Sequence, residues 1–141
     1  MRTNDDIEGY LIELGMPFEQ LDEGIWRLNN EDDGVDNLVV MHSPPIIFFR
    51  VKLMEVPQEN QAGLYEKLLV LNATEMVAGA YGIEDGHVVI VDTLQSENLD
   101  FNEFQASVES LSMAVAEHYP VLRGFRDKAP LSSADEAPVA G

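Results

Sequence analysis

The chain has 141 residues, 45% of them hydrophobic, and no cysteine, a length that fits one domain burying its own core without disulfide staples. Its 26 acidic residues against 8 basic ones give a net charge of −18, which argues against a nucleic-acid binder and against docking on anionic lipid, since both need a basic surface. No apolar run approaches the ~20 residues that span a bilayer, and no hydrophobic stretch follows the N-terminus as in a signal peptide, so the expectation is a cytoplasmic protein.

The first predicted element is a helix from Asn4 to Leu14. Thr3 is a suitable N-cap, Asp5 and Asp6 sit at the positive end of the dipole, and Gly15 is a good residue to close it. Ile7, Tyr10, Leu11 and Leu14 recur at helical spacing, and Pro17 forbids continuation. Short strands follow, Phe18–Leu21 and Ile25–Leu28 around the turn Asp22-Glu23-Gly24, then Leu38–His42. Ile46–Val56 is the clearest strand. Its odd positions, Ile47, Phe49, Val51 and Leu53, form one wholly apolar face, as in a strand covered by core on that side. Its even positions, Ile46, Phe48, Arg50, Lys52 and Met54, form a second face that mixes apolar groups with two of the rare cations.

A second helix is predicted over Gln58–Asn72. Leu64, Leu68 and Leu71 give one stripe, widened by Tyr65, Leu69 and Val70 beyond what one sheet needs. Met76–Ile83 and His87–Thr93 form a hairpin around Asp85-Gly86, a strong type I′ signal. Gly79, Ala80 and Gly82 leave its first strand small, with room for a bulky neighbour such as the last helix. That helix starts with Asp100 and Glu103 spaced as a capping box. Its stripe runs from Phe101 through Val108 and Val115 to Leu122, with Pro120 predicting a kink or break near Tyr119. The domain is expected over 3–126, with a disordered tail of small and acidic residues over 127–141. The fold class is α+β, an antiparallel sheet with helices packed on it, in the order α-β-β-β-(β)-α-β-β-α.

Motifs for catalysis and cofactors are missing. The acidic loop from Asn29 resembles a calcium loop at first, but position twelve is Val40 where a bidentate Glu is required. His42, His87 and His118 have no metal-ligand spacing, and no nucleophile elbow or phosphate-binding glycine motif occurs. His42 and His118 read as core or boundary residues, His87 as exposed, and the sole Trp26 as core before interface. No cofactor or metal is expected. Surface for a partner remains, with Phe48, Arg50 and Met54 the candidates for client contact. Leu64, Leu68 and Leu71 are the candidates for dimer or core contact, and so for a dimer interface.

Leu68-Leu69-Val70-Leu71-Asn72, then Met76–Ile83 with Ala-Gly-Ala-Tyr-Gly, then Asp85-Gly86, His87–Thr93 and the capped helix Asp100–Tyr119, resemble the YbjN-type family of bacterial regulators, which has the fold of the type III secretion chaperones. The resemblance covers about residues 3–122. It implies a helix, three strands, a helix, two strands and a helix. It also implies a small acidic homodimer that holds an extended segment of a client protein, with no catalytic residues to carry over. The expected function is therefore a non-enzymatic, chaperone-like or regulatory protein-binding module, its partners a second copy and an unidentified client. A small-molecule-sensing regulator with a pocket between sheet and helices is one alternative. A small enzyme using carboxylates and His118 is another.

Overall fold

The computed structural model describes residues 3–30 and 35–127; the expected tail and the centre of the acidic loop fall outside them. Helix α1 (Asn4–Leu14) begins with a complete capping box: the Thr3 hydroxyl accepts from the Asp6 amide and the Asp6 carboxylate accepts from the Thr3 amide. Gly15, at φ 85°, closes the helix in the left-handed conformation. Four strands follow, β1 (Phe18–Asp22), β2 (Ile25–Asn30), β3 (Val35–Ser43) and β4 (Ile46–Glu55). Helix α2 (Gln61–Thr74), strands β5 (Ala80–Glu84) and β6 (His87–Gln95) and helix α3 (Phe101–Asp127) complete the described chain.

The six strands form one antiparallel sheet in the order β1-β2-β3-β4-β6-β5. The first four strands follow one another as hairpins. The last hairpin, turned by Asp85 and Gly86 with positive φ at both, places β6 against β4 and leaves β5 at the edge.

Side-chain alternation sorts the sheet into two unlike faces. Ile47, Phe49 and Val51 of β4 line up with Trp26 and Leu28, Leu38 and Val40, and Val88 and Ile90 of the other strands, all buried. The helices cover this face. Ile7 and Leu11 come from α1, Leu64, Leu68 and Leu71 from α2, and Phe104, Val108 and Leu111 from α3. Each such side chain contributes about 1.5–3 kcal/mol when fully buried.

Four details differ from the sequence reading. Met54 is 5% exposed and sits in the core, because the β4–β6 register shifts between Lys52 and Met54. One irregular residue sends the next side chain to the opposite face. Leu64, Leu68 and Leu71 are likewise spent on the chain's own core, so a partner cannot reach them. Residues 76–79 are not strand. Gly79, at φ 77°, turns the chain where an added Cβ would meet the Val91 carbonyl at 2.8 Å and Leu111 at 3.0 Å. The last helix does pack there, as the small residues suggested. Finally, of the kink or break expected near Tyr119, the break does not occur, and α3 stays helical through Pro120. Pro120 and Ala116, whose carbonyl loses its partner, are both exposed, so water can satisfy that carbonyl. The buried Leu122 holds the following turn in place.

Candidate protein-interaction surface

Among the described residues, no helix covers the second face of the sheet. Met41 of β3 and Phe48 of β4 are cross-strand partners, 38% and 37% exposed, and Val91 of β6 is 40% exposed. With Val39 they line a shallow apolar trough of about 520 Å³. Arg50 belongs to this face, and its guanidinium donates to the Glu84 carboxylate at 2.7 Å. The pair runs from β4 to β5 with β6 between them. Val89 of β6, beside Gly82, is only 3% exposed although no helix lies above it. Arg27 pairs similarly with Glu19 across β1 and β2. Lys52 is exposed and makes no ion pair among the described residues. An acidic protein thus concentrates three of its eight cations on the bare face. Phe48 and Arg50 are brought together here, and Met54 is not.

The sheet's two edges are treated differently. At β5, the Asn72 side chain from the end of α2 donates to the Tyr81 carbonyl at 3.2 Å and accepts from the Tyr81 amide at 2.7 Å. The amide group copies the pairing of a neighbouring strand and fills that rung. At β1, Pro17 gives its carbonyl to the Asn29 amide on β2. Antiparallel alternation then turns the amides and carbonyls of Phe18 and Gln20 outward. Sequence reading missed both features. Asn72 was visible only as a polar residue at the end of an apolar helix.

Helix α2 has a second exposed surface. Tyr65, Leu69 and Val70 are 37%, 69% and 47% exposed, and Val77 just beyond the helix is 90% exposed. These residues, and not the three buried leucines, form the outward apolar stripe that the wide pattern foretold.

The histidines are structural. His118 is buried with Nδ1 2.8 Å from the Tyr81 hydroxyl. Burial drives the Tyr81 pKa well upward, so the phenol keeps its proton. His42 is also buried, and its Nδ1 donates to the Asn4 side-chain carbonyl at 2.8 Å. Burial lowers its pKa below the usual 6.5, and Asp6 partly opposes this. Half-buried His87 donates from Nδ1 to the Asp85 carbonyl at 3.0 Å. Among the described residues no group of three or more His, Asp or Glu side chains is placed to hold a metal. No helix there is long and apolar enough to cross a membrane.

Three helices on one face of a six-stranded antiparallel sheet, connected in this order, define the α+β fold of the type III secretion chaperones. The chain belongs to the type III chaperone family CesT_Tir_1, whose family model matches residues 1–128. Among solved structures it is similar to YbjN from E. coli, titled a putative transcription regulator, with a TM-score of 0.66 and 20% identity over 85% of this chain and 93% of that one. It is similar to a chain of the ExoU–SpcU complex of Pseudomonas aeruginosa, with a TM-score of 0.63 and 18% identity over 86% and 98%. A third likeness is to the Yersinia pestis secretion chaperone SycH, crystallised with a fragment of YscM2, at a TM-score of 0.58 and 14% identity over 84% and 98%. Compared with curated protein sequences, the chain finds no match.

Proposed function

We propose that this protein is a non-enzymatic, chaperone-like binding module that works as a homodimer in the cytoplasm and holds an extended segment of another protein. The observation that carries the reading is the bare sheet face, where Met41, Phe48 and Val91 stay exposed together on β3, β4 and β6. An extended chain can take backbone hydrogen bonds from the outward groups of Phe18 and Gln20. A further stretch of the same client, crossing over β2, would place apolar side chains in the trough. The neighbours in fold support this, since SpcU and SycH were solved in complexes with protein partners. The self-contact assigned here is the outer stripe of α2, Tyr65, Leu69 and Val70, together with Val77. That helix carries only Glu66 and Lys67 as charged residues, so two copies of a strongly acidic chain can meet there with little repulsion.

The test has two arms. Affinity capture from the native cell lysate should return one dominant partner with the natural chain and lose it with Phe48→Ser. Light scattering should give twice the chain mass for the natural protein and the single mass for Leu69→Glu. A partner retained by Phe48→Ser would remove the sheet face from the reading. A natural chain at single mass would remove the dimer.

A further inference from the structure

On the helical side of the sheet, away from the trough, a groove of about 490 Å³ runs between the end of α1 and the middle of α3. Leu14 and Met16 form one wall, and Val108 and Met113 belong to the other. Met113 is 60% exposed, so the groove is an open channel instead of an enclosed cavity. Open channels suit a passing chain segment better than a small ligand, which is normally buried on most sides.

The polar groups of this groove are unused by the fold. Ser112 is 6% exposed, lines the groove, and its hydroxyl has no hydrogen-bond partner. Ala116 lines it too, and its carbonyl lacks the usual helical donor because Pro120, four residues on, has no N–H. Glu109 completes the lining, and Glu117 follows one turn after Met113 on the same stripe; neither makes an ion pair among the described residues. A carboxylate, a free carbonyl and a hydroxyl together accept hydrogen bonds and attract positive charge. Among the described residues no cation lines the groove. We infer that the α1–α3 groove is a second interaction surface, which takes an apolar protein segment carrying a lysine or arginine, the cation held by Glu109, Ser112 and the Ala116 carbonyl. The aliphatic flanks of that segment lie against Leu14, Met16, Val108 and Met113. This surface is separate from the bare sheet face and does not depend on the function assigned to it.

The probe is the synthetic peptide Gly-Ser-Leu-Leu-Lys-Leu-Leu-Ser-Gly, added to the full chain with labelled methionine methyl groups and followed by NMR. The expected result is a shift of the Met16 and Met113 signals while Met41, on the sheet face, stays still. The same peptide with Glu in place of Lys should bind at least about tenfold more weakly, a difference of about 1.4 kcal/mol. Glu109→Lys should reverse that preference. Glu109 is exposed, so a melting curve matching the natural chain will show that this variant is folded. Equal binding of the two peptides, binding by neither, or shifts confined to Met41 would each overturn the inference. The last outcome would place the peptide on the sheet face and leave the client-binding reading standing.

Discussion

The Tyr81 hydroxyl and His118 Nδ1 lie 2.8 Å apart in the buried seam between β5 and α3, their rings tilted at 45°. Burial keeps the phenol protonated, and this bond orients the His118 ring whichever of the two groups donates. Tyr81→Phe leaves a buried ring nitrogen without its partner, and the expected loss is about 1–3 kcal/mol. Urea unfolding of Tyr81→Phe, His118→Leu and the double variant checks this. The two single losses should sum to more than the double; strict additivity would mean that the contact carries no coupling.

His42 sets an acid limit on stability. Its pKa in the folded chain lies below the ordinary 6.5, so below that pH the unfolded chain binds the extra proton more readily. Stability from this group is therefore complete above pH 6.5 and declines as the pH falls through the folded-state pKa. Its Nε2 is buried without a partner, which is where the added proton would go. Thermal unfolding of the natural chain and His42→Gln across this range should show a steeper acid loss for the natural chain. Parallel curves would rule out His42 as the source.

Two glycines of the same hairpin region should respond oppositely to alanine. Gly79→Ala forces a Cβ against the Val91 carbonyl at a positive φ, with an expected cost of at least about 2 kcal/mol. Gly82→Ala meets only a Val89 methyl at 4.0 Å and should change stability by less than about 1 kcal/mol. Denaturation midpoints of the two variants decide it.

Phe48 and Met54 make a further contrast on one strand. Met54→Ala should cost about 2–5 kcal/mol, as for a buried side chain removed from a core. Phe48→Ser should leave the unfolding free energy within about 1 kcal/mol, because that side chain faces the bare side. If Phe48→Ser unfolds the chain instead, the sheet face is covered in the working protein.

Much of this fold was legible because local chemistry and tertiary packing agree. Thr3 caps α1 as read, and Ile47, Phe49 and Val51 alternate inward as read. The class and the family resemblance were legible through the helix ending in Leu71-Asn72 and the capped last helix. What failed depended on three-dimensional context. The register shift that buries Met54 leaves no mark in a period-two pattern. The wide stripe of α2 could not say that its leucines face inward while Tyr65, Leu69 and Val70 face out. Pro120 reads in isolation as a kink or a break, yet the helix continues past it and buries Leu122 in the core.

The unequal edges also limit how copies of this chain can assemble. A sheet open at both ends can recruit copy after copy, head to tail, and such a contact propagates into a fibre when it does not close. Here the Asn72 side chain occupies the rung at Tyr81, so a strand added at β5 loses that rung and strand-to-strand growth is favoured at β1. Two chains joined through β1 would consume both favoured edges and stop. The fold can offer backbone to another protein while protecting itself against runaway polymerisation, a safeguard that one asparagine provides.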